Sequence, residues 1–148
     1  MAYNKTEHLR RNIEAIRRAF ALEREQRAAT PEERDVLRAY SGFGAIKEVL
    51  EPLPHKKETA LTPLIEELHA VLKENTGGER EYKRYLDGLK ASVLTAFYTP
   101  EPVTDAIARM LYNAGAVPVR ALEPSAGTGA FVEYLHRYNE EAEITCFE

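Results

Sequence analysis

Apolar residues recur through the first ninety positions at spacings of three and four, the period of a helix with one buried face. Leu9, Ile13, Ile16 and Phe20 form the first such stripe. Asn4 stands ahead of it with Glu7 three residues on, the spacing of a capping box. A helix is therefore expected from Asn4, whose side chain can accept an amide hydrogen bond while Glu7 reaches back. Thr30-Pro31-Glu32-Glu33 restarts a helix by the same logic, with Pro31 where a missing amide costs nothing. Val36, Leu37 and Tyr40 supply its apolar side, and Ser41-Gly42-Phe43-Gly44 should stop it. Two glycines around one aromatic suggest a tight turn that pins Phe43 on the surface or in a groove. Ile46, Val49 and Leu50 permit another helical turn or two before Pro52 and Pro54 break the chain. After a polar connection over 51–61, Thr62-Pro63 is a further cap-plus-proline start. Leu64, Ile65, Leu68, Val71 and Leu72 form the apolar side of a helix that ends before Gly77-Gly78. Tyr82, Tyr85, Leu86 and Leu89 mark a short helix after it.

The pattern changes near residue 91. Ala91 to Tyr98 reads as a short strand or a helix end. From Pro100 a helix is expected with Val103, Ile107, Met110 and Leu111 toward the core, closed by Gly115 in a left-handed conformation. Val117 to Glu123 has the β-branched and apolar content of a short buried strand. Phe131, Val132, Leu135 and Tyr138 suggest a helix, and Ile144 to Phe147 a second strand with Cys146 as a small core residue. Strand, glycine-rich turn, helix and strand open a doubly wound α/β sheet. The expected architecture is a mostly α region over 1–90, then the start of a Rossmann-like α/β fold over 91–148 with an incomplete sheet.

Composition narrows the class. With 44% hydrophobic and 30% charged residues among 148, the chain reads as globular. A single cysteine excludes an internal disulfide, and His8, His55, His69 and His136 share no metal-ligand spacing, so no metal site is expected. No apolar run approaches the ~20 residues that span a bilayer. The N-terminus lacks the apolar stretch of a secretory signal, so no membrane partner and a cytoplasmic location are expected. The net charge is −4. Residues 99–148 hold three basic against eight acidic groups, a poor surface for a polyanion. Arg10, Arg17 and Arg24, with Arg11 and Arg18 adjoining, are either a stripe for DNA phosphates or a solvated flank among Glu14, Glu23 and Glu25. Tyr40 and Phe43 are either packing anchors or platforms for stacking bases. Arg120 is expected to flank its strand and meet solvent.

The strongest chemical signal is Ala121-Leu-Glu-Pro-Ser-Ala-Gly-Thr-Gly-Ala-Phe131. Its glycines let the backbone turn at the end of a strand so that a ligand can approach main-chain atoms without meeting a Cβ. The following helix presents unpaired amides there. No Lys-Ser/Thr follows the glycines as a phosphate loop requires, and Gly127-Thr-Gly129 continues to Ala130-Phe131-Val132, short of the full dinucleotide pattern. Glu123 at the strand end would repel phosphate and attract a cationic or multi-hydroxyl ligand. Glu148, at the end of the next strand, has the placement of an acid that accepts hydrogen bonds from ribose hydroxyls.

Leu122-Glu-Pro-Ser-Ala-Gly-Thr-Gly-Ala-Phe131 resembles the S-adenosylmethionine (AdoMet) motif of N6-adenine DNA methyltransferases. Phe97-Tyr-Thr-Pro100, followed by a helix, is similar to the segment that precedes it in that family and folds over the cofactor. The resemblance covers about residues 93–148. It implies that Tyr98, Thr99 and Pro100 line the methionine and adenosine side of the pocket. It further implies that Glu123, Pro124, Ser125, Ala126, Gly127, Thr128 and Gly129 surround the amino-acid part of AdoMet, Glu123 near the ammonium. Phe131 would pack beneath the loop, and Glu148 would match the ribose-binding acid. Tyr40-Ser-Gly-Phe-Gly-Ala-Ile46 ahead of these motifs resembles large methylase–helicase proteins of mobile elements, a setting of restriction-modification or anti-restriction.

That family accepts the adenine amine on an Asp/Asn-Pro-Pro-Tyr/Phe loop, and no such sequence occurs here. No catalytic residue is therefore assigned. The resemblance implies an N-terminal fragment of a longer enzyme that methylates adenine N6 in DNA, inactive alone, with weak or absent AdoMet binding. DNA would be met through the full-length protein, and the fragment could form a homodimer through exposed sheet or helical surface. Two other classes compete: an AdoMet-dependent methyltransferase of another substrate, and a non-enzymatic helical module for DNA or protein.

Overall fold

The computed structural model describes residues 4–44, 46–50 and 59–147. Pro52, Pro54, His55 and Glu148 lie outside the described residues. The chain divides into two compact units, Met1–Phe97 and Tyr98–Glu148.

The first unit is helical. Its elements are α1 (Lys5–Glu25), α2 (Pro31–Arg38), a 3-10 turn (Lys47–Leu50), α3 (Thr62–Glu74) and α4 (Glu79–Thr95). Asn4 caps α1, its side chain accepting from the amides of Thr6 and Glu7, while Glu7 pairs forward with Arg11 rather than reaching back. Thr30 and Glu33 complete a reciprocal capping box on α2 with Pro31 at the first turn. At α3 the cap shifts by one: Leu61 holds the cap position without a side-chain bond, and the Thr62 hydroxyl accepts from Thr59 N instead. α4 is longer than the four apolar positions from Tyr82 to Leu89 suggest. It runs 17 residues, because Leu89 and Val93 continue the same buried side.

The core joins Leu9 and Ile13 of α1, Phe43, Ile46 and Val49 of the connection, all five apolar positions of α3, and Leu89 and Val93 of α4. Ile16, Phe20, Tyr40, Tyr82, Tyr85 and Leu86 pack around it half-buried. Phe43 is only 1% exposed, so its ring sits in this core rather than on the surface. Gly42 supplies the left-handed turn ahead of it, at φ 70°. Gly44 brings the backbone against the end of α4, where a Cβ would collide with the carbonyl oxygen of Ala96. Tyr40 meets Phe43 edge-on with centroids 6.2 Å apart, which makes both packing anchors.

The second unit runs α5 (Glu101–Asn113), β1 (Arg120–Glu123), α6 (Ala130–Tyr138) and β2 (Glu143–Cys146). β1 and β2 pair in parallel, Arg120 opposite Glu143 through Glu123 opposite Cys146. Gly115, at φ 70°, closes α5. The amide of Ala116 bonds the Leu111 carbonyl and that of Gly115 the Tyr112 carbonyl, the paired bonds of a glycine-terminated helix.

Burial here departs from the sequence expectation. The strand is confined to four residues and is not buried; Leu122 is 65% exposed. Val103, Ile107, Met110 and Leu111 of α5 are exposed, and Thr104 and Ala108 are the buried positions, since α5 packs on α6. Cys146 is exposed as well. The common cause is a sheet of two strands, which is too narrow to cover the side chains that alternation and periodicity mark as apolar. Arg120 faces solvent beside Glu143 at 3.3 Å. Among the described residues, no helix is long and apolar enough to cross a membrane.

Candidate functional site

The loop from Glu123 to Gly129 joins the end of β1 to the start of α6. Two things shape it. Gly127 and Gly129 adopt φ of 55° and 81°, left-handed values that a side chain disfavours. The end of β2 also holds the loop: the amide of Phe147 donates to the Glu123 carbonyl at 2.9 Å, and the amide of Ala126 donates to the Phe147 carbonyl at 2.8 Å. The parallel ladder thus continues past the strands and fixes the near half of the turn. The far half closes through the Gly129 amide on the Ala126 carbonyl, 2.8 Å. Gly129 then caps α6 with no side chain over the helix N-terminus.

The Tyr98 ring lies against this turn. A Cβ at Gly127 would come within 2.8 and 2.9 Å of its Cδ1 and Cε1. Gly127 is therefore required twice, by its left-handed backbone and by the ring. The structure brings together Tyr98 and the Glu123–Gly129 stretch. Thr99 and Pro100 stand exposed on the approach to α5, where the Pro100 carbonyl accepts from the amides of Val103 and Thr104. Phe131 is half-buried in the first turn of α6.

Glu123 is half-buried at the strand end, and its Oε1 accepts from the Ser125 amide at 3.1 Å. Pro124, Ser125 and Thr128 are exposed, and Ala126 is half-buried. The chemical inventory of the turn is one carboxylate, backbone amides at a helix start and one aromatic ring. No group of three or more His, Cys, Asp or Glu side chains suited to a metal occurs among the described residues.

Polar contacts that no sequence motif marks tie α5 to α6, the helix that follows the loop. Tyr134, buried on α6, donates to Glu101 of α5 at 2.6 Å, and this bond with burial raises its phenol above the ordinary value. Asp105 of α5 pairs with Arg109 and, at 3.8 Å, with Arg137 of α6. Glu101 and Asp105 are four apart, and Tyr134 and Arg137 three apart, so two helix faces of matching chemistry were present in the sequence as a signal.

The basic stripe of α1 is largely engaged by acids. Arg17 bonds Glu67 at 2.6 Å and Glu14 at 3.4 Å, and Arg18 pairs with Glu33 at 3.2 Å and Glu14 at 3.7 Å. Arg10 and Arg24 are exposed. His69 bonds the Tyr82 hydroxyl and the Val49 carbonyl, and His136 the Ala142 carbonyl, which are structural roles.

Compared with known proteins, the chain matches no family model, no curated protein and no solved structure.

Proposed function

We propose that residues 98–148 begin the cofactor-binding half of an AdoMet-dependent N6-adenine DNA methyltransferase. The observation that carries the reading is the contact of the Tyr98 ring with Gly127, at the turn between two parallel strands and a helix. The turn's chemistry fits the amino-acid end of AdoMet. Glu123 offers a carboxylate to the ammonium, and the backbone amides at the start of α6 favour a carboxylate. The electron-rich face of Tyr98 suits a sulfonium. AdoMet, when bound, supplies a methyl group on that sulfonium. Glu123, Tyr98 and the loop backbone hold and orient it, with Thr99, Pro100 and Phe131 alongside. Glu148 would serve the ribose. The groups that accept the adenine amine come from outside this chain, which has no acid–Pro-Pro–aromatic sequence.

The test is amide NMR of the full chain with millimolar AdoMet, and with ATP as the comparison. Shifts at Tyr98, Thr99 and Ser125 to Ala130 with AdoMet, and none there with ATP, are expected. Gly127→Val should erase them while the amides of α1 and α3 stay in place. Equal shifts with ATP, or AdoMet shifts that fall outside Tyr98, Thr99 and the loop, overturn the reading.

A further inference from the structure

The helical unit holds a groove that no role above uses. Its space is about 430 Å³, within the range of small-molecule sites. Leu72 and Leu89 form part of its floor. Two edge-to-face aromatic pairs line it: Phe20 with Tyr85, centroids 5.5 Å apart at 80°, and Tyr40 with Phe43 at 79°. Phe43 is buried and closes the floor, so the half-buried rings of Phe20, Tyr40 and Tyr85 are the ones that a further aromatic ring can meet. The wall from α4 carries Arg84, Gly88 and Ser92 at successive spacings of four, hence in one line along the helix.

Gly88 is the informative residue. A glycine inside a helix is destabilising against alanine. Close packing does not require it here, because nothing lies within 4 Å of where a Cβ would sit. Gly88 is one of the residues that line the groove. The remaining lining groups include one acid, Glu23 of α1, and one base, Arg84 of α4. Each sits on a different helix, and both are exposed. Apolar walls that suit a flat ring, with one charge of each sign, match a small molecule that has an aromatic body and both an ammonium and a carboxylate.

We propose that this groove binds a small aromatic zwitterion of the aromatic amino-acid class. The ring lies over Gly88 beside Phe20, Tyr40 and Tyr85, the ammonium faces Glu23 and the carboxylate faces Arg84. The site is independent of the loop at Gly127.

The chain has no tryptophan, so indole probes can be followed by their own fluorescence. The full chain is titrated against L-tryptophan, tryptamine, indole-3-propionate and N-acetyl-tryptophanamide. L-Tryptophan should bind tightest. Removing either charge at an exposed site should weaken binding about two- to five-fold. Arg84→Gln should abolish the preference over tryptamine, and Glu23→Gln the preference over indole-3-propionate. Gly88→Leu should eliminate binding of every probe, with the helical circular dichroism retained. Amide shifts of Gly88 and Ser92 in the unaltered protein on adding L-tryptophan provide a second measure that needs no variant. The proposal falls if L-tryptophan does not bind, if all four probes bind equally, or if Gly88→Leu binds as before. It falls equally if N-acetyl-tryptophanamide matches L-tryptophan, since the groove would then read the ring and not the charges.

Discussion

Asn12 is a polar side chain with no exposure, and its partners explain why it is tolerated. Its Oδ1 accepts the Ser41 amide at 3.0 Å, and its Nδ2 donates to the Gly42 carbonyl. His8, one turn earlier on α1, places Nε2 2.7 Å from the Ser41 hydroxyl. A serine and histidine at that distance look like a nucleophile and its base. Ser41, however, also has Asn12 Oδ1 at 3.4 Å as an acceptor, and His8 also reaches the Gly42 carbonyl. The cluster is a clamp that holds the turn placing Phe43 in the core. Asn12→Leu should cost about 1–3 kcal/mol in urea unfolding, because the Ser41 amide loses its acceptor and the Gly42 carbonyl keeps only His8. A change within about 0.5 kcal/mol, the usual surface effect, would show that water replaces Asn12. Gly44→Ala belongs to the same scale. Its Cβ would meet backbone at Ala96, which cannot rotate away as a side chain can. Destabilisation of about 1–3 kcal/mol is expected in the same assay.

Elements differ in what stabilises their ends. The N-terminus of α2 depends on Glu33, which bonds the Thr30 amide at 2.9 Å and receives two hydrogen bonds from Arg27. Arg27 first, and the Thr30 amide second, hold its carboxyl down at about 2 against an ordinary 4.5. A depressed carboxylate stabilises the fold above its unfolded value and loses that contribution as pH falls toward the folded one. The acid limb between pH 4.5 and about 2 should therefore contain a loss of α2 structure. Glu33→Gln should flatten that part of the profile when helicity is followed by circular dichroism, and a limb of unchanged shape would refute the assignment. α3 and α5 make the contrast in legibility. Both are 13 residues with a proline in the first turn and an apolar stripe at helical spacing. All five apolar positions of α3 are buried, whereas Met110 of α5 is 70% exposed. Periodicity states which side of a helix is apolar; it carries no information on whether another element lies over that side.

At the scale of the molecule, the two units have unequal cores. The first has a continuous cluster drawn from α1, α3, α4 and the connection between helices. The second rests on one helix pair and two four-residue strands. Amide hydrogen exchange should accordingly be slowest in α1, α3 and α4 and markedly faster in β1 and β2. Equal protection would mean that the exposed faces of α5 and β1 are covered in solution. Methyl transfer is a property of the same scale. On the proposed methyltransferase reading, the chain should transfer no label from AdoMet to adenine-containing DNA, since no acid–Pro-Pro–aromatic sequence occurs in it to accept the amine.

The sequence by itself determined the helix starts at Asn4 and Thr30, the buried side of α3, the left-handed stop at Gly115, and the order of strand, glycine turn, helix and strand. These are local matters: a cap, a period or a glycine acts within one or two turns of chain. Tertiary structure alone decided that Phe43 enters the core and Gly44 meets Ala96, and that Cys146 and Leu122 face outward. Each of those depends on which distant segment approaches, or on how many strands flank a sheet. Neither quantity is encoded in the spacing of apolar and polar residues.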